Sequence, residues 1–166
     1  MKKTVFITGA SSGIGKGIAQ HLAATHRVII SDCSKAAIMA AQADLKSRGF
    51  DVQAQVFDVC DSDHLADLKT LADERGIDVL INNAGVQHVQ AIEDFPPEKW
   101  QQLMDVMLKG PAMTTRAVMP AMKRNNYGRI INVGSVHSLV ASAYKSAYVA
   151  AKHGLIGLAK TVALEV

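Results

Sequence analysis

Short apolar runs alternate with longer amphipathic stretches along this chain. Five runs rich in valine and isoleucine predict strands, which cover residues 4–8, 27–31, 52–57, 78–82 and 129–133. Apolar positions at helical spacing predict helices between and after them, over residues 14–25, 34–48, 62–75, 97–123 and 146–166. Gly49 and Gly76 stand where C-terminal helix caps are expected, and Pro96 and Pro97 open the longest helix.

This alternation predicts an α/β fold, a Rossmann-type doubly wound parallel sheet with helices on both faces. Right-handed crossovers would join its five strands. The chain has 166 residues, of which 49% are hydrophobic, enough to bury one core. No repeat, linker or low-complexity segment interrupts the pattern. We therefore expect a single domain over residues 1–166.

Charge and cysteine content limit the possible partners. A net charge of +3 without a basic block argues against nucleic-acid binding. The start of the chain resembles a secretory signal, but polar residues interrupt it from Thr8 onward, and no run is long enough to span a membrane. Cys33 and Cys60 are too few for a disulfide framework or a metal site. We expect a cytoplasmic protein with free thiols, without a metal or a membrane partner.

A glycine-rich turn follows the first predicted strand. Its glycines are spaced as G-x-x-x-G-x-G, which differs from the G-x-G-x-x-G of many dinucleotide-binding proteins. Glycines there let the backbone approach a pyrophosphate, which free N–H groups at the start of the next helix can bind. The position after strand one therefore favours a dinucleotide site. The candidate cofactor residues in this turn are Thr8, Gly9, Ser11, Ser12, Gly13, Ile14 and Gly15.

Asp32 falls just past the second predicted strand. A carboxylate at that place can accept hydrogen bonds from both hydroxyls of an adenosine ribose, and it repels a 2′-phosphate. Asp32 therefore favours NAD over NADP as the cofactor. The alternative is that Asp32 is a helix N-cap or a turn residue.

Tyr148 and Lys152 lie four residues apart, which places both on one face of a helix. Lowering a tyrosine pKa from ~10 to neutrality needs roughly 4 kcal/mol, more than the about 1 kcal/mol of an exposed ion pair. A desolvated pocket that holds the lysine and an oxidised nicotinamide could supply it. Ser135 would hydrogen-bond the substrate oxygen while Tyr148 transfers its proton. The alternative is an ordinary pair on a helix surface.

These motifs together resemble the short-chain dehydrogenase/reductase family over the whole chain. The matching stretches, in the order and spacing of that family, are Thr8–Gly15, Asp58–Val59, Asn82–Gly85, Ser135 and Tyr148-x-x-x-Lys152. The resemblance implies that Ser135, Tyr148 and Lys152 form the active site and that Tyr148 and Lys152 also contact the cofactor. It implies further that Asp58 and Val59 contact the adenine side, and that Asn82 to Gly85, with Asn83, Ala84 and Gly85 near the cofactor, support the sheet. Taken alone, Asp58 would equally suit a helix cap, and Asn82–Asn83 a turn.

A narrower resemblance, to the 3-hydroxybutyrate dehydrogenase group of that family, rests on residues 85–89 and 135–154. It implies that Gln87, His137 and Lys145 hold a substrate carboxylate, beside Ser135 and Tyr148. A small hydroxy acid does need a cation and neutral donors to one side of the reacting carbon. Without the resemblance, these three residues suit a loop glutamine, a structural histidine and a surface lysine. His88 and His153 are interpreted as structural.

Two features depart from the family pattern. The long helix usually carries an asparagine that holds a water between the catalytic lysine and solvent, whereas this chain has Met107, a weak acceptor without a donor. Packing in the core or at an interface is the alternative role for Met107. Family members also continue for roughly another 80 to 100 residues, within the usual size of such domains. We therefore expect the last two strands and the substrate lid to be missing here, and the apolar edge at residues 130–133 to recruit another chain.

Together, these features predict an NAD-dependent oxidoreductase that moves a hydride between the cofactor and a small secondary alcohol. The expected substrate pair is 3-hydroxybutyrate and acetoacetate. The partners would be a hydroxy-acid or ketone substrate and further copies of the chain, in a dimer or tetramer. Two alternatives stay open: a dinucleotide-binding or interaction module without catalysis, and a fragment of a longer dehydrogenase.

Overall fold

Five parallel strands form one sheet in a computed structural model that describes residues 2–166. The strand order is β3-β2-β1-β4-β5, and every neighbouring pair is parallel. The predicted α/β doubly wound fold is therefore confirmed. The strands are β1 (Thr4–Ile7), β2 (Arg27–Asp32), β3 (Val52–Val56), β4 (Val79–Asn82) and β5 (Arg129–Asn132).

Six α-helices accompany the sheet. They are α1 (Gly13–Leu22), α2 (Lys35–Ser47), α3 (Ser62–Arg75), α4 (Pro97–Met104), α5 (Gly110–Arg124) and α6 (Ser146–Leu164). Gly49 and Gly76 have φ angles of +85° and +72° just past α2 and α3, as their predicted capping roles require. Short 3₁₀ turns, Ile92–Asp94 and Val136–Ser138, lie in the loops after β4 and β5.

The long helix predicted over residues 97–123 is wrong in one respect, because a π-helical turn at Asp105–Lys109 divides it into α4 and α5. The N–H of Gly110 donates to the carbonyl of Asp105, five residues back. Pro111 explains the change, since it has no N–H and its ring clashes with the carbonyl four residues earlier. Pro97 opens α4 as predicted.

The core lies on both faces of the sheet because alternate strand residues point to opposite sides. On one face Val5 and Ile7 of β1 pack with Ile38 and Leu45 of α2, and all four are fully buried. On the other face, residues of β1 and β4 meet α3 and α5. The residues of that second cluster include Phe6, Leu80, Leu68, Ala72, Val118 and Ala121.

A third apolar cluster lies beside the sheet and joins α4, the π-helical turn and α6. Its buried members are Phe95, Leu103, Met107, Ala147 and Ala151. This cluster fixes α6 against the rest of the molecule, and α6 carries the tyrosine and lysine of interest.

The topology brings the loops of interest to one edge. The strand order reverses at β1, which lies between β2 and β4. Ligands of open α/β sheets bind at the carboxyl ends of the strands beside such a reversal. The loops after β1, β2, β4 and β5 carry most of the candidate residues, so the fold gathers them at this crevice.

A large groove lies elsewhere, along the outer side of β5. It has a volume of about 770 Å³ and lies between β5, the end of α5 and the end of α6. Across residues 2–166, β5 pairs only with β4. In that same part of the chain, the helices are all too short or too polar to cross a membrane.

Candidate active site and cofactor site

The glycine-rich loop joins β1 to α1 in a shape that requires glycine. Gly9 and Gly13 have φ angles of +62° and +53°, in the left-handed region. A Cβ atom on Gly9 would lie 2.7 Å from Cα of Ala84, and one on Gly15 would lie 2.5 Å from Nδ2 of Asn83. The glycines therefore allow this loop to pack tightly against the loop after β4.

The first turn of α1 is suited to an anion. Ser12 is the N-cap residue, and within residues 2–166 its hydroxyl makes no capping hydrogen bond. That turn holds no acidic side chain. A Cβ on Gly13 would meet no described atom within 4 Å, so the space outside the loop is open. Backbone N–H groups at this end of α1 can thus bind a phosphate.

Thr8 and Asn83 tie the loop after β1 to the loop after β4. Nδ2 of Asn83 donates to the carbonyls of Thr8 and Gly9, at 3.0 and 2.8 Å. Oγ1 of Thr8 accepts from the N–H groups of Asn83 and Ala84, each at 3.0 Å. These candidate cofactor residues therefore also shape the crevice.

Asn82 supports the sheet through hydrogen bonds to Asn132 and Thr114, which the sequence analysis did not predict. Its Nδ2 donates to Oδ1 of Asn132 at 2.9 Å, and its Oδ1 accepts from the buried hydroxyl of Thr114 at 2.7 Å. The expectation that Asn82–Gly85 supports the sheet is thereby confirmed for Asn82. Thr114 is fully buried inside α5, and because only the structure reveals that burial, the sequence offered no signal for this residue.

Asp32 is the last residue of β2. Its Oδ2 accepts from the hydroxyl of Ser11 at 2.6 Å, and its Oδ1 accepts from the N–H of Ser34 at 3.1 Å. Ser34 caps α2 by accepting from the N–H of Ala37, so the N-cap alternative for Asp32 is wrong. The turn-residue alternative is confirmed, because Oδ1 of Asp32 accepts from the N–H of Ser34 two residues on.

Asp58 and Val59 follow β3. Oδ1 of Asp58 accepts from the N–H of Cys60 at 2.9 Å, and the N–H of Asp58 donates to Nδ1 of His64 at 3.0 Å. Asp61 caps α3, so the cap alternative for Asp58 is wrong. The side chain of Val59 is buried, and only its backbone can face a ligand.

His64 is a further residue that the sequence reading missed. Its Nδ1 holds the backbone of Asp58, which fixes the loop after β3. A histidine in the first turn of α3, three residues after the Asp61 cap, was the available signal.

Cys33 and Cys60 are free thiols on the surface. Burial of part of the side chain, aided by the charges of Asp58 and Asp105, raises the pKa of Cys60 to about 11. Burial and the carboxylate of Asp32 also raise the pKa of Cys33. Both thiols are therefore protonated at neutral pH and weakly nucleophilic.

Ser135 stands after β5 with its hydroxyl proton available. Its Oγ accepts from the N–H of His137 at 3.2 Å, and its own N–H donates to Oγ of Ser138 at 3.1 Å. This reciprocal arrangement is a capping box on the short 3₁₀ turn, and Ser138 was not anticipated although the S-x-x-S spacing signals it. The oxygen of Ser135 is held, so its O–H can donate to a substrate oxygen.

Lys152 is buried in α6, one turn after Tyr148. The lysine side chain is 6% exposed, and its Nζ lies 5.8 Å from the centroid of the Tyr148 ring. Nζ donates to the carbonyl of Val133 at 2.6 Å. Burial lowers the pKa of Lys152. The alternative interpretation of Tyr148 and Lys152, an ordinary pair on a helix surface, is therefore wrong, because the ammonium of Lys152 lies inside the protein.

The candidate substrate residues come together only in part. The His137 ring lies 6.0 Å from the Tyr148 ring at an angle of 88°. The N–H of Gln90 donates to the carbonyl of Tyr144 at 2.9 Å, which joins the loop of Gln87 to the loop of Lys145. Among residues 2–166, no hydrogen bond joins Gln87 to either His137 or Lys145.

Met107 and His88 have packing partners, whereas His153 is exposed and its Nδ1 lies 3.0 Å from the carbonyl of Val149. Met107 is buried with Ala147 and Ala151, which confirms core packing as its role. Its Sδ would lie 3.8 Å from a Cβ on Gly85, so it reaches the crevice wall. The His88 ring meets Phe95 edge-on, with centroids 5.1 Å apart. In the described part of the chain, no group of three or more histidines, cysteines or carboxylates could hold a metal ion.

A family model described as short chain dehydrogenase matches residues 3–166. Curated relatives include a D-beta-hydroxybutyrate dehydrogenase of Cupriavidus necator, 48% identical over 98% of this chain. A second protein of that name, from Rhizobium meliloti, is 45% identical over 100% of this chain. The chain spans 64% and 66% of the length of these two relatives.

Solved structures of other proteins share the fold of this chain. A metagenomic short-chain oxidoreductase in complex with NADP superposes with a TM-score of 0.91 and 34% identity. The match covers 98% of this chain and 76% of that one.

Proposed function

The chain belongs to the short-chain dehydrogenase family, and on that premise we propose that it transfers a hydride between NAD and a small secondary alcohol. The substrate pair is 3-hydroxybutyrate and acetoacetate. One observation carries the proposal: Lys152 is buried one helical turn from Tyr148, and the loop of Ser135 leads into that helix. A buried lysine beside a phenol is an arrangement for proton transfer.

Tyr148 is the general acid and base of the proposed reaction. In the oxidative direction its ionised phenol takes the hydroxyl proton of the alcohol, and in the reductive direction it returns that proton. Lys152 favours the phenolate through its positive charge, which acts strongly because the ammonium is buried. Ser135 donates its free O–H to the substrate oxygen and holds it in place.

The residues around the crevice fit a dinucleotide. The open start of α1 would bind the pyrophosphate, Asp32 the adenosine ribose, and Asp58 and Val59 the adenine side. Lys152 uses one of three N–H donors on Val133, which leaves two for ribose hydroxyls. When bound, the nicotinamide ring supplies or takes the hydride.

Asp32 supports NAD rather than NADP. A relative of 34% identity was solved with NADP, so family membership alone does not choose between the two cofactors. The carboxylate at the end of β2 would accept ribose hydroxyls and repel a 2′-phosphate. The choice of NAD therefore rests on this side chain.

The substrate proposal rests on three side chains and on the names of two relatives. His137 lies beside Tyr148, and Lys145 directly precedes α6. Lys145 would pair with a carboxylate, with Gln87 and His137 as neutral donors. Two proteins of 48% and 45% identity carry the name D-beta-hydroxybutyrate dehydrogenase.

Met107 favours a second candidate, a dinucleotide-binding module without catalysis. The family resemblance implies an asparagine at this place, and the buried thioether cannot hold a water by donating to it. The relayed exchange of protons with Lys152 would then be slow, while binding of the dinucleotide would persist.

The test is absorbance of reduced nicotinamide with D-3-hydroxybutyrate and either NAD or NADP, beside an NADH titration. We expect turnover with NAD and a rate with NADP that is lower by about tenfold or more, the scale of one lost charge contact. NADH binding without turnover would favour the module. Turnover that prefers NADP would contradict the cofactor proposal, and neither binding nor turnover would contradict both functions.

A further inference from the structure

We propose that Ser11 is a positioning residue for the choice between NAD and NADP, because its hydroxyl holds the Asp32 carboxylate in the orientation that rejects a 2′-phosphate. This inference rests on the proposed function, in which Asp32 faces the adenosine ribose. It assigns to the glycine-rich loop a role in selecting the cofactor, in addition to binding the pyrophosphate.

The contact between Ser11 and Asp32 is short and charge-assisted. Oγ of Ser11 donates to Oδ2 of Asp32 at 2.6 Å across 21 residues of sequence. That distance is typical of O–H donors on ionised carboxylates, which are among the stronger protein hydrogen bonds. The bond therefore fixes one oxygen of Asp32 from the side of the glycine-rich loop.

The backbone around this contact is fixed as well. The N–H of Ala10 donates to the carbonyl of Ser31 at 2.8 Å. The buried hydroxyl of Ser31 donates to the carbonyl of Ile7 at 3.0 Å. The loop after β1 and the end of β2 are thus joined directly before Ser11 and Asp32, so Ser11 reaches Asp32 from an anchored backbone.

Asp32 is also held from the opposite side. Its Oδ1 accepts from the N–H of Ser34 at 3.1 Å, and the Cys33 thiol lies 3.7 Å from the same oxygen. A carboxylate offers about four lone-pair sites. Ser11 and Ser34 occupy two of them, and a ribose hydroxyl can replace the weak Cys33 thiol contact, so positions remain for two ribose hydroxyls. With both oxygens bound, the carboxylate keeps a single rotamer.

A fixed carboxylate discriminates better than a mobile one. A free Asp32 could rotate away from a 2′-phosphate and so reduce the repulsion between the two anions. An Asp32 held by hydrogen bonds cannot rotate away, so the repulsion between its carboxylate and the 2′-phosphate of NADPH is not reduced. The ribose of NADH meets a ready acceptor at the same time, which reduces the entropy lost on binding.

Ser11 could instead bind the ribose directly. In that case its removal would weaken NADH and NADPH by the same factor, since both carry the 3′-hydroxyl. The ratio of the two affinities therefore distinguishes a positioning role from a ligand role, and it does not require turnover.

The experiment is fluorescence titration of NADH and NADPH on the unsubstituted chain and five variants, with thermal melting to check folding. Ser11→Ala removes the hydroxyl. Ser11→Thr and Ser11→Val form a pair of equal shape, in which only threonine keeps the hydroxyl. Asp32→Ala gives the ratio of the NADPH and NADH dissociation constants in the absence of the carboxylate. Ser12→Ala is the neighbouring control, because Ser12 lies at the start of α1, where the pyrophosphate shared by NADH and NADPH would bind, so its removal should change both affinities by the same factor.

We expect the ratio of NADPH to NADH dissociation constants to fall by about tenfold in Ser11→Ala and Ser11→Val, as for one lost charged hydrogen bond. The ratio should stay near the parent value in Ser11→Thr and Ser12→Ala, and should be lowest in Asp32→Ala. An unchanged ratio in both Ser11→Ala and Ser11→Val would overturn the inference and leave the NAD proposal intact. A parent chain that binds neither dinucleotide, or prefers NADPH, would overturn the cofactor proposal and this inference together.

Discussion

At the scale of single residues, Lys152 shows how one charged side chain is kept inside the protein. The side chain is 6% exposed, and its ammonium donates to the carbonyl of Val133. Burial disfavours the charged form and lowers the pKa of Lys152 below its ordinary value of 10.5. The stability of the folded chain should therefore depend on pH through this lysine.

The sign of this dependence follows from proton binding. Between the lowered pKa and 10.5 the unfolded chain binds more protons at this lysine than the folded chain does. The free energy of unfolding should therefore rise with pH in that window. We expect the unsubstituted chain to gain stability relative to Lys152→Met as the pH rises from neutrality towards about 10.4, measured by urea unfolding.

Lys160→Met provides the control, because Lys160 lies on the same helix and is exposed. Its unfolding free energy should follow that of the unsubstituted chain at a constant offset across the same pH range. A constant offset for Lys152→Met would contradict the account of a buried ammonium.

Some site residues follow from sequence and others need the fold. The spacing of Tyr148 and Lys152 indicates a shared helix face, but burial of the lysine depends on α4 and the π-helical turn packing beneath α6. The hydrogen bond of Ser11 to Asp32 joins positions 21 residues apart. Its existence depends on how β1 and β2 align, which no local pattern specifies.

At the scale of elements, the junction of the π-helical turn and α5 depends on Gly110. A Cβ on this residue would lie 2.8 Å from Cγ2 of Val59 and 3.2 Å from the carbonyl of Asp105. The start of α5 can therefore approach the loop after β3 only if position 110 lacks a side chain. That loop carries Asp58, so the contact helps to fix the backbone around this residue.

Gly110→Ala should destabilise the chain by about 1 to 3 kcal/mol, because overpacking moves backbone or forces strained rotamers. Gly157→Ala in α6 is the matched control, since a Cβ there meets no described atom within 4 Å. That variant should gain about 0.5 to 1 kcal/mol from helix propensity. Urea unfolding of both variants and of Gly110→Ala/Val59→Ala measures the effect.

The double variant Gly110→Ala/Val59→Ala tests whether the clash with Val59 causes the destabilisation. Removing the Val59 side chain should recover part of the lost free energy of unfolding. Equal stability of Gly110→Ala and Gly157→Ala would show that the predicted clash is absent. A double variant less stable than the sum of its parts would also count against it.

Most elements were predictable from the apolar pattern, and one was not. The five strands were placed to within two residues because each is short, rich in valine and isoleucine and bounded by polar residues. The π-helical turn at Asp105–Lys109 lies inside a continuous helical pattern, and five residues are too few to change its period. Pro111 was the only local signal of it.

At the scale of the whole molecule, the edge of the sheet at β5 presents an exposed apolar surface. Ile131 is 48% exposed there, and the groove of about 770 Å³ lies beside the strand. The opposite edge, β3, carries Gln53 and Gln55 instead. An apolar strand edge with unpaired backbone groups is a site for association.

We expect the chain to self-associate through β5. Ile131→Lys should raise the dissociation constant of the dimer by about tenfold or more, the effect of a charge placed in an apolar contact. Gln53→Lys on β3 is the matched control and should leave that constant unchanged. Sedimentation velocity across a concentration series measures it, and a parent chain that stays monomeric at high concentration would contradict the expectation.

In the proposed reaction, Tyr148 transfers the proton while a bound dinucleotide supplies or takes the hydride. The most direct measurement compares Tyr148→Phe with the unsubstituted chain, by turnover of D-3-hydroxybutyrate with NAD and by NADH titration. Tyr127→Phe is the control, because the Tyr127 ring packs under Lys3 on another part of the molecule. We expect Tyr148→Phe to lose at least about 10²-fold in turnover and to keep its affinity for NADH. Turnover equal to that of the Tyr127→Phe control would contradict the claim.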